Sequence, residues 1–170
     1  MRGILLSILL SLFIFAPAGT GRAQRRAGSQ GATTYNTYSN ARFGYSIAYP
    51  VGILYPQGEA DNGDGQKFLS RDGRAEMLVY GGHQLDSVRL SEMYEAALKE
   101  KDASGAGRTV TMKVLKKDWF VVSGYAGERV FYQKTMLKGG MFKTFIIEYD
   151  RSQKSLYDPI TARVARSFVG

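Results

Sequence analysis

The chain has 170 residues, no cysteine, one histidine and a formal net charge of +8 from 23 basic and 15 acidic side chains. The lack of cysteine excludes disulfides, thiolate nucleophiles and sulfur-ligated zinc, and one histidine excludes any site that needs two imidazoles. This length favours a single domain. Residues 1–40 hold four of the basic side chains and no acidic one, so residues 41–170 carry 19 basic and 15 acidic groups, a net charge of +4. That is an ordinary surface charge and does not by itself indicate a nucleic-acid partner.

The amino terminus has the pattern of an export signal. Arg2 precedes an apolar run at 4–16 that is interrupted only by two serines. A membrane span needs about 20 apolar residues, so this run is too short to span but long enough for a signal peptide. Small residues place cleavage after Ala18 or Ala23. We predict a signal peptide at 1–23 and a periplasmic or secreted mature chain without a transmembrane span; the alternative is an uncleaved amino-terminal anchor.

A polar segment follows the predicted signal peptide. Residues 24–40 are rich in Gly, Ser, Thr, Asn and Gln and lack any apolar period. This composition predicts a flexible linker at 24–40, followed by a single domain at 41–170.

The first part of the domain has strand patterns. At 43–49 the side chains of Tyr45, Ile47 and Tyr49 share one face at period two, and a proline ends the pattern. A short extended piece at 53–55 precedes a polar loop at 58–65. Strands are predicted at 67–70 and 75–80, joined by a hairpin at the Asp72-Gly73 pair.

The second part alternates helix, strands and helix. After a Gly-Gly pair at 81–82, the apolar period becomes helical over 91–101, with Ser91 as the expected N-cap. Four strands are predicted at 110–115, 119–123, 129–136 and 141–149, and the short loops between them require antiparallel pairing. An amphipathic helix is predicted over 158–168, with Asp158 as cap and Pro159 at its first position. The order predicts an α+β domain whose antiparallel sheet, including the opening strand at 43–49, is flanked by helices.

Several of these segments together resemble the PsbP-like family. The resemblance lies in the opening Phe-Gly-Tyr-Ser-Ile-Ala-Tyr-Pro at 43–50, the strand at 75–80, the strand end at 146–149, and the apolar positions Ile160, Val164 and Phe168. It implies an αβα sandwich over about residues 38–170. Relatives of this fold include an extrinsic subunit of the oxygen-evolving photosystem, a nuclear-import cofactor and bacterial envelope proteins. The resemblance therefore implies binding or assembly rather than catalysis, and it assigns no role to any residue here.

The residues that could take part in catalysis or bind a metal do not form a recognised pattern for either. A metal site at His83 would need carboxylate partners such as Asp86, and the acidic loop at 59–64 departs from the twelve-residue calcium pattern. The Gly-x-Gly at 105–107 lacks the third glycine of a nucleotide site, and Ser123 lacks a nucleophile elbow. We predict no metal, no cofactor and no enzymatic activity. The alternative is a small carboxylate-dependent envelope hydrolase, in which acids of neighbouring strands meet. Its candidate residues are Glu128, Glu148 and Asp150.

Lysines are concentrated in the predicted strand region. Six occur between positions 113 and 143: Lys113, Lys116, Lys117, Lys134, Lys138 and Lys143. Three lie at predicted turn ends, and Lys116, Lys117 and Lys138 are the candidate contacts for an acidic partner, expected to be an envelope protein. The alternative is protection of exposed strand edges.

Aromatic residues in the same region could in principle stack on bases. Phe131, Tyr132 and Phe142 occur in positions typical of core strands, so no nucleic-acid partner is predicted. The sequence thus predicts an exported, non-catalytic binding or assembly domain of the cell envelope, and it leaves the oligomeric state open.

Overall fold

A computed structural model describes residues 32–85, 88–101, 105 and 107–170. The predicted signal peptide and the amino-terminal half of the predicted linker lie outside these residues. In chain order, the secondary structure is β1 (Tyr35–Asn40), β2 (Tyr45–Pro50), β3 (Tyr55–Glu59), β4 (Gly65–Leu69), β5 (Ala75–His83), α1 (Leu90–Lys99), β6 (Arg108–Leu115), β7 (Trp119–Ala126), β8 (Arg129–Lys138), β9 (Met141–Asp150), a short 3-10 turn (Arg151–Gln153) and α2 (Lys154–Ser167).

A seven-stranded antiparallel sheet separates two apolar cores. Its strand order is β3-β4-β5-β9-β8-β7-β6. Successive side chains of a strand point to opposite faces, so the neighbours Val130 and Phe131 on β8 lie in different cores. One core holds α2 and β2 against β4, β5 and β9, and the other holds α1 against β7 and β8. This confirms the predicted α+β class with helices flanking an antiparallel sheet.

The opening strand pairs differently from the prediction. The segment at 43–49 was expected in the same sheet as the four later strands, but β2 forms a separate two-stranded antiparallel sheet with β1. The outer edge of β2 bonds to the carboxyl-terminal tail, where Ser46 N donates to Val169 O at 2.9 Å and Val169 N donates to Ser46 O at 3.1 Å. Both edges of β2 are therefore occupied. Its buried Tyr45 and Ile47 still face the core beneath α2.

The linker prediction is wrong for residues 35–40, which form β1. Two tyrosine side chains, which stand alone in a polar sequence, explain why this segment forms a strand. Tyr35 and Tyr38 pack against the core, and the guanidinium carbon of Arg163 lies 4.5 Å from the centre of the Tyr35 ring. The remaining side chains of β1 are mostly exposed and polar, so the strand has no apolar alternation to detect.

The sequence predicted that β5 ends before the glycines at 81 and 82, but it does not. The strand continues to His83, paired with β9. A Cβ atom at Gly81 would lie 2.6 Å from the side chain of Phe43, so glycine here permits a close approach between two elements. The polar loop predicted at 58–65 is also shorter than expected, because β3 extends to Glu59 and β4 begins at Gly65.

Both helices begin before the predicted caps. In α1 the N-cap is Arg89 rather than Ser91, and the Arg89 backbone N–H donates to the Glu92 carboxylate at 3.0 Å. In α2 the predicted cap Asp158 and Pro159 lie inside the helix, which starts at Lys154. The preceding 3-10 turn supplies the helix start, because the Asp150 carboxylate accepts from Ser152 N at 3.0 Å. No helix in the described part of the chain has the length and apolar content needed to cross a bilayer.

Candidate binding surface

The three lysines predicted to bind a partner lie at one end of the seven-stranded sheet. Lys116 and Lys117 occupy the β6–β7 turn, and Lys138 ends β8. The antiparallel pairing of β7 with β8 brings these two places together, and Leu137 N donates to Asp118 O at 2.8 Å. All three lysine side chains are exposed.

A shallow concavity of about 350 Å³ connects two of these lysines with α1. Its lining residues are Gln84, Arg89, Leu90, Ser91, Leu115, Lys116, Lys117 and Leu137. Arg89 precedes α1 and adds a fourth cation, and Leu115 is 41% exposed. We call Arg89, Lys116, Lys117 and Lys138 the basic end. Sequence reasoning missed Arg89, since only the packing of α1 on β6 and β7 brings residue 89 close to residue 116.

The basic end has little internal charge compensation. Within the described ranges, none of its four cations has an Asp or Glu side-chain oxygen within 4 Å. The Lys138 ammonium donates to the main-chain oxygen of Gly170 at 3.3 Å. The amino terminus of α1 lies beside the concavity, and its partial positive charge adds to that of the side chains. The four exposed cations at this end are therefore available to an acidic group of another molecule.

The other lysines of the region have different environments. Lys143 is 4% exposed, and burial, with a smaller effect from the charge of Lys138, lowers the pKa of its ammonium. Lys134 donates to the carbonyls of Ala165 and Phe168 at 3.2 and 3.5 Å, and burial lowers its pKa too. Lys113 is exposed within edge strand β6. The six lysines therefore do not form one cluster.

The candidate carboxylates of the hydrolase hypothesis do not form a catalytic pair. Glu148 Oε1 lies 3.5 Å from Arg108 Nη2 and Glu148 Oε2 lies 3.6 Å from Arg129 Nε. Burial raises the pKa of Glu148, and the two arginines oppose that rise. Glu128 lies exposed in the β7–β8 turn. A glycosidase requires an acid and a carboxylate that face one substrate, whereas the Glu148 carboxylate is engaged by arginine.

Asp150 has a structural role at the end of β9. Its carboxylate accepts from the backbone and side chain of Ser152 at 3.0 and 2.8 Å, and Arg74 Nη2 lies at 3.1 Å. These hydrogen bonds and the arginine lower the pKa of Asp150 to about 2. A carboxyl group with such a pKa does not serve as a general acid near neutral pH.

Replacing Asp150 with asparagine should flatten the acid limb of the stability profile. A lowered folded-state pKa contributes stability that is present above the unfolded-state value and is lost as pH falls through the folded-state value. For Asp150 this window runs from 3.8 down to about 2. Urea unfolding at several pH values should show a smaller loss across this window for Asp150→Asn than for wild type. Equal losses would contradict the role assigned to Asp150.

Other residues singled out in the sequence have structural contacts. His83 ends β5, and its ring lies edge-on to Phe43 at 5.4 Å; its candidate co-ligand Asp86 lies outside the described residues. The Ser123 hydroxyl donates to Phe131 O at 2.9 Å. In the acidic loop, the Asp64 carbonyl accepts from the Tyr45 hydroxyl at 2.9 Å. The described residues contain no group of three His, Asp or Glu side chains that could hold a metal ion.

The three aromatic side chains considered for base stacking also have partners inside the domain. Phe131 is fully buried, with the Arg108 guanidinium carbon 4.2 Å from its centre. Tyr132 stacks on Phe145 at 5.6 Å, and Phe142 lies edge-on to Tyr80 at 6.1 Å. These contacts assign the aromatic side chains to packing.

Comparison with known proteins supports the fold. The sequence matches no protein-family model and no curated protein. The structure is similar to the solution structure of cyanobacterial PsbP (CyanoP) from Synechocystis sp. PCC 6803, with a TM-score of 0.62 and 16% sequence identity, over 84% of this chain and 95% of that chain. At this identity the similarity establishes the fold, not a shared activity. The resemblance predicted from the sequence is thus confirmed at the level of architecture, and the described domain has a PsbP-like fold.

Proposed function

We propose that this chain is an exported, non-catalytic binding or assembly domain of the cell envelope, and that an acidic protein partner binds at the basic end. The observation that carries the proposal is the grouping of Arg89, Lys116 and Lys117 around a concavity lined by leucine side chains, with Lys138 at the same end of the sheet. The PsbP-like fold supports a binding role. Export is supported by the short apolar run at 4–16 and the small residues that follow it.

The composition of the basic end suits a protein interface. Binding interfaces combine an apolar centre with a polar or charged rim. Here the exposed Leu115 lines the same concavity as Lys116 and Lys117. Charges of this kind steer a partner of opposite sign and raise its association rate. Since the lysines are exposed, salt screens them over about 10 Å at 0.1 M ionic strength, so binding should weaken as salt increases.

Charge reversal at the three lysines tests the proposal. We expect the Lys116→Glu, Lys117→Glu, Lys138→Glu variant to keep its fold and lose partner capture, because all three side chains are exposed. The measurement is affinity isolation from envelope extract with immobilised protein, at low and at physiological salt. The control carries the same change of charge at Lys67, Lys99 and Lys101, which are exposed elsewhere.

The outcomes separate a binding role from a solubility role. The proposal predicts a set of acidic envelope proteins that wild type and control retain at low salt and that the charge-reversed variant does not. Retention of the same proteins by the charge-reversed variant would leave the lysines with a solubility role and remove the basis for this surface.

A further inference from the structure

Helix α2 has two adjacent stripes of residues, one with large side chains and one that includes small side chains. Its large apolar side chains, Tyr157, Ile160 and Val164, are buried in the core. The adjacent stripe, at 158, 161, 162, 165 and 166, contains two alanines and a threonine. Residues three and four apart share a helix face, so these small side chains form one continuous strip. They leave the space above β7 and β8 unfilled.

That space is a cleft of about 760 Å³. Its floor is largely apolar, and its volume lies in the range of small-molecule sites. The residues that line it are Trp119, Val121, Ser123, Val130, Tyr132, Lys134, Met136, Tyr149, Lys154, Asp158, Thr161, Ala162, Ala165 and Arg166. It lies between α2 and the sheet, on the face opposite α1, and does not include the lysines of the basic end.

The charges along the cleft favour an anion. Its single carboxylate, Asp158, accepts from the Tyr149 hydroxyl at 2.6 Å and lies 3.1 Å from the Lys154 ammonium. Arg166 has no ion-pair partner in the part of the chain that the structure describes. Lys134 also lacks a carboxylate partner there. Two cations are therefore left for a ligand.

Lys134 is placed to bind such a ligand through a hydrogen bond. Its half-buried ammonium uses two donors on the carbonyls of Ala165 and Phe168. An ammonium group has three donors, so one remains. Hydrogen bonds between charged partners are about twice as strong as neutral ones, which gives this position selectivity for an acid over an alcohol.

We propose that the cleft binds a medium-chain aliphatic carboxylate. The alkyl chain lies over Val121 and Met136, and the carboxylate accepts a hydrogen bond from Lys134 and is attracted by Arg166. This binding is independent of the basic end.

Trp119 gives a direct readout, because it lines the cleft and is the only tryptophan of the chain. The purified protein is titrated at neutral pH with decanoate, and in parallel with decanol and decyltrimethylammonium, which carry the same chain with a neutral or positive head. We expect a saturable change of tryptophan emission with decanoate, at least about tenfold weaker binding of decanol, and no saturable change with the cation.

Two substitutions locate the binding. Ala162→Leu fills the cleft from an exposed helix position and should abolish saturation, whereas Ser155→Leu, exposed on α2 outside the lining, should not. Lys134→Met removes the ammonium and should weaken decanoate at least about tenfold while sparing decanol. Circular dichroism checks that each variant is folded.

The inference is overturned if the three amphiphiles give the same response, if decanoate gives no saturable change, or if Ala162→Leu binds decanoate as wild type does. The Lys116, Lys117, Lys138 charge-reversed variant should bind decanoate normally, so failure of this inference is separable from failure of the basic end.

Discussion

Replacing Phe168 with alanine should lower the free energy of unfolding by about 3–5 kcal/mol, the usual range for truncation of a buried phenylalanine. The side chain is 2% exposed. Its ring lies edge-on to Phe145 at 5.1 Å and to Tyr45 at 6.1 Å. It thereby joins the end of α2 to both β9 and β2, and its loss leaves a cavity among three elements.

Urea unfolding followed by circular dichroism measures this effect. Val169→Ala is the matched control, since the neighbouring Val169 side chain is 55% exposed and its truncation should change stability by less than about 0.5 kcal/mol. A Phe168→Ala variant that unfolds at the wild-type midpoint would mean that the end of α2 does not pack on the sheet.

Replacing Arg108 with methionine should cost about 3–5 kcal/mol, as expected when one partner of a buried ion pair is removed. The Arg108 side chain is 2% exposed. Its guanidinium bonds to Glu100 at 2.7 Å and Gln133 at 3.1 Å, and lies 3.5 Å from Glu148. Methionine retains the packing over Phe131 but leaves the largely buried Glu148 with Arg129 alone.

The cost of Arg108→Met should fall at acid pH. Burial already raises the folded-state pKa of Glu148 above its unfolded value, and loss of Arg108 raises it further. A raised folded-state pKa contributes stability that is present below the unfolded-state value and is lost as pH rises through the folded-state value. The variant should therefore be closest to wild type near pH 4 and furthest at neutral pH.

The double variant Arg108→Met, Glu148→Gln separates charge from packing. It removes both members of the pair and should recover part of the stability at neutral pH, because a neutral amide is cheaper to bury than an unpaired carboxylate. Chemical unfolding at pH 4 and pH 7 measures both effects. A cost that is the same at both pH values and is not reduced in the double variant would show that the ion pair is not the source.

The parts of the fold that were predicted correctly depend on local pattern. The four strands of the β6–β9 meander alternate at period two and are joined by short loops, so their pairing follows from neighbouring residues. Strand β1 was missed because its ordering comes from Tyr35 and Tyr38 packing on distant residues. The start of α2 was misplaced because Asp158-Pro159 resembles a helix start, whereas the 3-10 turn before Lys154 provides it.

The candidate binding surfaces were likewise predictable only where they depend on residues close in sequence. Lys116, Lys117 and Lys138 lie at turn ends that the hairpin register places at one end of the sheet, so the sequence suggested their proximity. Arg89 joins them through the packing of α1, which no local spacing reveals. The cleft could not be predicted from the sequence either. Ala162 and Ala165 are common helix residues, and only the position of α2 over β7 shows that their small side chains leave a space.

Site-specific photo-crosslinking tests the central proposal most directly. A photoreactive side chain is placed at Lys117 in the basic end, or at Lys99 at the opposite end of α1, and the source cells are irradiated. The proposal predicts that position 117 captures an acidic envelope protein that position 99 does not, and that adding Lys116→Glu and Lys138→Glu removes the product. The same product from both positions, or a product at 117 that survives these charge reversals, would contradict binding of an acidic partner at the basic end.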